Sequence, residues 1–394
     1  MLFQTFDDKE ECISVFAKNR LIKSLPPNLS RTWSYAEYLK GHDIQYAQLY
    51  CKGQSLNEVC PTHIEKEWEK VNNKLKAFYR ASQEAKLDLS EHCFFDMVPE
   101  AFLRDYAAVK NKICNYVFQN YQKPPTYDFS LELAKVLAEI KNRKLNIDEG
   151  ALNNRLAEYK VREFVKKIRR TPAYIGYDAF KTKTGRLSTF SSSFPILTMH
   201  KDYRKILTPS NDWFVEFDFN AAELRVMLGL LGLQQPKEDI HEWNMKNVFE
   251  GVTDRKIAKK NIFAWLYGSK KDKNIESVYN RVAIKQKYWD GQYVNTIFDR
   301  QIEADNFHSI NYTIQSTAAD LFLRQMVKVW KLLEGKKSYV AFSLHDSLII
   351  DFSEEDQQMV NEIKEAFANT SLGEFKVSAN AGKNFGEMRK LNIH

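Results

Sequence analysis

Two aspartates stand where carboxylates can hold a cation. Trp213–Phe217 is an apolar run (WFVEF) that reads as a buried strand and delivers Asp218 at its carboxyl end. Asn220 follows as a cap for a helix over Ala221–Leu231. An aspartate between a strand and a helix is well placed to bind a metal at a sheet edge, although a plain turn aspartate has the same local signature. Ser338–Phe352 reads as a hairpin whose apolar strands YVAFSL and LIIDF flank His345-Asp346-Ser347. Its tip is rigid enough to aim one carboxylate, and equally compatible with turn chemistry. As a pair, Asp218 and Asp346 would suit magnesium, which takes few oxygen ligands and keeps places open for phosphate and water.

A helix over Thr253–Ser269 (TDRKIAKKNIFAWLYGS) supplies what such ions would act on. Arg255, Lys259, Phe263 and Tyr267 recur every four residues and so form one stripe along it. Two cations followed by two aromatics fit a triphosphate at one end and a base with its sugar at the other. A core reading explains the aromatics but gives Arg255 and Lys259 no reason to share their stripe. His241, in Asp239-Ile240-His241, could add a donor to a phosphate, though a lone histidine is more often structural. Glu223 follows Asn220 in the spacing of a capping box, which is its bland reading.

These groups need elements to carry them. The chain has 394 residues, 44% hydrophobic and 28% charged, the composition of a globular protein of two or three units. Met1–Phe6 and Cys12–Phe16 read as a hairpin around the charged turn FDDKEE, and Ile44–Tyr50 as a further strand. Ile64–Ala85, Pro99–Tyr121, Leu131–Arg143 and Leu156–Arg170 have helical spacing, with a break at Lys123-Pro124-Pro125. The net charge of +7 is concentrated: Tyr159–Arg186 holds nine Lys or Arg against two acidic residues, and Arg255–Lys273 seven against one. Clustered cations attract a polyanion, nucleic acid above all, while a solvated helix face is the simpler alternative. Five cysteines, all within the first 114 residues, read as reduced thiols. Cys51, Cys60 and His63 lack the CxxC spacing of a zinc site. No stretch has the length or hydropathy of a membrane span, and the acidic amino terminus is unlike a signal peptide, so a cytosolic protein is expected.

The motifs together resemble the family A DNA polymerases. DFNAAELRV (218–226) is similar to the family's first catalytic motif. RKIAKKNIFAWLYG (255–268) resembles its fingers helix, Arg-x3-Lys-x3-Phe-x3-Tyr-Gly, at every spaced position, and HDS (345–347) resembles its His-Asp-Glu motif. TGRLS (184–188), DIH (239–241) and NYTIQSTAAD (311–320) add support, all in the family's order. The resemblance implies an α+β right hand: a small N-terminal α/β domain over 1–127, an exonuclease-like remnant, and a polymerase domain over 128–394. Within the latter it implies a reduced thumb and palm start (128–185), palm (186–238), fingers (239–315) and palm again (316–394). It further implies a DNA-directed DNA polymerase that extends a primer with dNTPs in replication or repair. Asp218, Asp346 and the Phe219 carbonyl would bind two magnesium ions, with manganese as a substitute. Arg255, Lys259 and His241 would grip the triphosphate, and Lys259 would protonate the leaving pyrophosphate. Phe263 and Tyr267 would line the nascent pair, and Glu223 would exclude a ribose 2′-hydroxyl. Arg186, Asn311, Gln315 and His345 would contact the primer–template. The enzyme would act as a monomer.

Four departures qualify the resemblance. Ser347 replaces the glutamate of the last motif, as in the related single-subunit RNA polymerases, which keeps an RNA-synthesising or primase-like enzyme as the rival. Glu223 and Phe263 are the DNA-polymerase choices. A non-catalytic primer–template binder would need neither both aspartates nor the stripe. The thumb interval is short, and the fingers are trimmed after Tyr267, so low processivity is expected unless a processivity or replisome partner supplies the missing clamp. Finally, in Asp105-Tyr106-Ala107-Ala108 the position of the exonuclease aspartate is Lys110, and Asp8-Lys9-Glu10 falls in a charged turn, so no proofreading is expected.

Overall fold

The computed structural model describes residues 1–394 except 7–13, 40–41, 90–91, 250, 269–270 and 392–394, together with the side chain of Glu37. Cys12, Asp8-Lys9-Glu10, most of the FDDKEE turn and Ser269 therefore lie outside the described residues. The chain divides into two compact units, Met1–Asn142 and Arg143–His394.

In the first unit, β1 (Phe3–Phe6) pairs antiparallel with β2 (Ser14–Ala17), which pairs with β3 (Arg20–Ile22). Two long helices, α1 (Thr62–Glu84) and α2 (Glu100–Asn120), pack together and bury Trp68, Phe102, Tyr106 and Ile113 with Phe6 and Phe16. Gln4 is buried on β1 and donates from Nε2 to Asn111 Oδ1 at 2.9 Å and to Cys114 Sγ at 3.3 Å, so neutral groups fill this part of the core. The expected strand over Ile44–Tyr50 is mostly absent. Only Gln45–Tyr46 is extended, beside Arg31–Thr32, and Ala47–Tyr50 closes into a helical turn. The helix α3 (Tyr127–Asn142) belongs to this unit: Tyr127 is buried in its second core, where the hydroxyl accepts the Tyr46 N–H at 3.0 Å.

The second unit carries near its start the basic helix α4 (Tyr159–Ile168), which buries Val161, Val165 and Ile168 and leaves Lys160, Lys166 and Lys167 in solvent. Its centre is an antiparallel sheet. β4 (Trp213–Phe219) runs on past the expected end, so Asp218 lies within the strand. Then come α5 (Ala222–Leu230), α6 (Ile240–Asn247), α7 (Arg255–Tyr267) and the small hairpin β5 (Tyr293–Asn295) and β6 (Gln301–Glu303). The helix α8 (Ser309–Leu332) leads to the hairpin β7 (Tyr339–Leu344) and β8 (Ser347–Phe352), followed by α9 (Val360–Ala368), β9 (Val377–Gly382) and β10 (Arg389–Lys390). The sheet order is β7-β8-β4-β9-β10, with β4 in the middle.

Strand alternation gives β4 two faces. Phe217 and Phe219 point to the helical layer, where Phe219 stacks on Phe367 of α9 with ring centroids 4.3 Å apart. Each ring buried there contributes about 2–3 kcal/mol by transfer from water. Glu216 and Asp218 belong to the opposite face. Among the described residues, no helix is long and apolar enough to cross a membrane.

Candidate active site

The register of the central strands brings the two aspartates together. Six consecutive pairs, from Trp213↔Phe352 to Asp218↔Ser347, align β4 with β8. Asp346 is thus the neighbour of the residue opposite Asp218. It occupies a two-residue turn with His345, whose φ of 56° is left-handed and which is exposed. Ser347 is buried and its hydroxyl donates to the Leu344 carbonyl at 3.0 Å. The Ser347 side chain therefore closes the turn.

Asp218 is held in an electrically unfavourable place. Burial, Glu216 and Asp346 push its carboxyl up to about 7, with the Lys259 charge acting in the opposite sense. A carboxylate crowded by others in this way is one that a hard dication relieves, and oxygen-only donors are the right kind for magnesium. Among the described residues, no group of three or more His, Cys, Asp or Glu side chains forms a cage. Glu216 escaped notice in the sequence, although its position two residues before Asp218 on the same strand face was a readable signal.

The stripe on α7 exists as a surface. Ala258, Ile262, Trp265 and Leu266 are buried on one side, whereas Arg255, Lys259 and Tyr267 are exposed and Phe263 is half-buried. The Phe263 and Tyr267 rings are parallel within 4°, and Lys259 Nζ lies 5.9 Å from the Phe263 centroid. Arg255 makes a fork to Asp239, Nε to Oδ1 at 3.1 Å and Nη2 to Oδ2 at 2.7 Å. Asp239 also caps α6 through the His241 and Glu242 N–H groups and accepts from Asn220 Nδ2 at 2.7 Å. Burial alone would raise Asp239, but Arg255 and the other donors hold it well below the usual carboxylate range. His241 is buried beside Phe263, its Nδ1 without a hydrogen-bond partner among the described residues. Burial lowers it to about 4, so the imidazole is neutral at pH 7.

Asn220 does not cap α5. Ala221 takes the cap position in a left-handed conformation (φ 52°) with no side-chain bond. The Asn220 carboxamide instead accepts from Ile240 N and Arg225 Nη2. Glu223 is accordingly free of the capping role that its spacing suggested. It is 8% exposed, accepts from Arg186 Nη2 at 2.8 Å, and takes the Tyr267 hydroxyl on its other oxygen. Burial and this carboxylate push the Tyr267 phenol up, so it stays protonated as a donor. Arg225 is fully buried, donating to the carbonyls of Asn220, Pro236 and Glu238 and thereby clamping the segment that leads to Asp239.

The structure therefore gathers Asp218 with Asp346, Glu223 with Arg186 and Tyr267, and Phe263 with His241 and Tyr267. Asn311 and Gln315 lie one turn apart on α8, and the Asn311 carboxamide oxygen is buried without a partner among the described residues. Asp239, Arg225 and Glu216 are the contributors that the sequence reading missed.

The site is thus an antiparallel sheet bearing neighbouring aspartates, faced by a cationic and aromatic helix. The fold matches the POL domain of Pol1 from M. smegmatis, solved with a DNA primer-template and dNTP, at a TM-score of 0.65 and 13% identity, over 98% of this chain and 95% of that one. Residues 271–387 match the model of DNA polymerase family A. DNA polymerase I of Chloroflexus aurantiacus is 24% identical over 55% of this chain and 29% of its own length. DNA polymerase I of Lactococcus lactis subsp. lactis is 28% identical over 53% and 30%, respectively. The match thus spans under a third of each relative. The family resemblance read from the motifs is borne out, as is the mixed α+β class.

Proposed function

We propose that the chain is a DNA-directed DNA polymerase that extends a primer 3′ end with dNTPs and does not proofread. The observation that carries the reading is the β4–β8 register, which sets Asp218 beside Asp346 in a unit that also presents the α7 stripe. Asp218, Asp346 and the Phe219 carbonyl hold the metal. Two magnesium ions, or manganese in their place, would supply the Lewis acidity for hydroxyl activation and leaving-group charge. Arg255 offers its remaining guanidinium edge to the triphosphate while Asp239 keeps it oriented, and Lys259 and neutral His241 add donors. Lys259 gives a proton to the departing pyrophosphate. Phe263 and Tyr267 flank the nascent pair, and Glu223 stands against a 2′-hydroxyl.

Arg186, Asn311, Gln315 and His345 follow the primer–template, and α4 presents its lysines to the phosphate backbone. Ser347 bonds back to its own turn, so the nucleotide-facing choices Glu223 and Phe263 favour deoxynucleotides over ribonucleotides. In the first unit, Lys110 in place of a carboxylate supports the absence of an exonuclease. The enzyme acts as a monomer in the cytoplasm, and a partner protein holds it on long templates. Primer extension with dNTPs tests the reading. Asp346→Ala is expected to abolish synthesis while primer–template binding persists, and undiminished synthesis by that variant would overturn the metal assignment.

A further inference from the structure

Arg300, on the loop just before β6, has no part in the groups assigned so far. Yet it is built into the turn that carries Arg186. Its guanidinium makes a two-pronged bond to Asp320 of α8, Nε to Oδ2 at 2.9 Å and Nη2 to Oδ1 at 2.6 Å. Asp320 is 3% exposed, so the pair is anchored in the helix. The Thr182–Arg186 turn then lies directly on the guanidinium. A Cβ at Gly185 would stand 2.5 Å from Arg300 Cζ and Nη2, and Gly185 has φ +76°. Only glycine meets both conditions without strain. The turn is closed by Gly185 N–H to the Thr182 carbonyl at 3.2 Å and by the Thr182 hydroxyl to the Arg186 carbonyl at 2.7 Å.

From that fixed backbone, Arg186 reaches Glu223 at 2.8 Å, and Tyr267 binds the other carboxylate oxygen. A continuous set of contacts therefore runs from Asp320 through Arg300 and Gly185 to the Arg186–Glu223 pair. A carboxylate that excludes a hydroxyl must be held in place, because a shift of about 1 Å is enough to open the space. Arg186 is long and rotatable, and what limits it is the backbone at its root.

We propose that Arg300, anchored by Asp320, is a positioning residue for sugar selection, acting through the Thr182–Arg186 turn on Arg186 and Glu223. This rests on the reading of Glu223 as the sugar gate. Its flat guanidinium is the reason arginine is required: lysine keeps a charge for Asp320 but offers no plane for the glycine to lie on.

The test is the ratio of kcat/KM for dNTP to that for the matching rNTP, measured with magnesium in single-nucleotide primer extension. Wild type, Glu223→Ala, Arg300→Met, Arg300→Lys and the Glu223→Ala/Arg300→Met double variant are compared, with melting temperatures alongside. Both Arg300 variants are expected to lower the ratio, Arg300→Met by about tenfold, the size of one lost positioned hydrogen bond. The double variant is expected to match Glu223→Ala alone, since both act on one gate. If Glu223→Ala lowers the ratio but neither Arg300 variant does, the positioning role is wrong and the gate stands. If Glu223→Ala leaves the ratio unchanged, both fall. Equal losses for the two sugars in the Arg300 variants would mark the pair as purely structural and overturn the proposal. Should Arg300→Met fail to fold, Arg300→Lys alone decides.

Discussion

Replacing Arg225 with methionine tests whether the buried guanidinium organises the end of the site proposed to take the nucleotide. The substitution keeps the length of the side chain and removes every donor. Three carbonyls would be orphaned, those of Asn220, Pro236 and Glu238, now bound at 2.9, 2.8 and 2.9 Å. The Asn220 side-chain oxygen loses one donor at 3.2 Å but keeps the Ile240 N–H at 2.8 Å. Each orphaned carbonyl costs about 1–3 kcal/mol. Against this, burial has already lowered Arg225 to about 10, and removing the cation relieves roughly 3 kcal/mol of that strain. The net loss is about 3 kcal/mol, which in a unit of this size lowers the melting temperature by about 6–12 °C. Because Pro236 and Glu238 lead into Asp239, the same change loosens the Arg255 fork, so KM for dNTP is expected to rise more than kcat falls. Calorimetry and steady-state extension measure the two effects. A melting temperature within about 2 °C of wild type, with KM unchanged, would refute the clamp.

If Asp218 holds the metal as proposed, metal binding depends on pH. With its carboxyl near 7, a proton competes with magnesium, so apparent affinity is expected to fall about tenfold per pH unit below 7 and to be flat above it. The sign for metal-free stability is the reverse: between about 4 and 7 the folded protein holds a proton that the unfolded chain has lost, so stability declines as pH rises through that window. Magnesium titrations followed by thermal shift from pH 5.5 to 8.5 check both, and a flat affinity profile would contradict the assignment. Changing Lys160, Lys166 and Lys167 of α4 together to alanine is expected to reduce the salt slope of primer–template affinity by about 2–3, at 0.9 per phosphate contact. Filter binding over a salt series reads it, and an unaltered slope would remove α4 from the interface.

Periodicity made the carriers of the site legible. The four-residue spacing of Arg255, Lys259, Phe263 and Tyr267 implied a single face, and α7 presents one. The YVAFSL and LIIDF runs implied the hairpin that holds Asp346. Local capping rules failed at Asn220, because its carboxamide serves the next helix while Ala221 adopts the left-handed turn. Ile44–Tyr50 failed for a related reason: short apolar runs fit a strand or a helical turn equally until their neighbours are known. The Asp239 fork, the Arg225 clamp and the Arg300–Asp320 pair join residues that share no spacing, so only the folded chain reveals them. Glu216 was within reach through the strand period.

The six-pair ladder between β4 and β8 has a consequence for how this site can diverge. Strand pairing shifts only in whole residues, and a slip of one sends Asp218 to the helical face. The separation of the two carboxylates is therefore quantised: it behaves as a ratchet, unable to drift by fractions as surrounding side chains are exchanged. A chain only 24–28% identical to its relatives can replace most of the residues around such a ladder and keep its aspartates in step, provided that the alternation of faces survives.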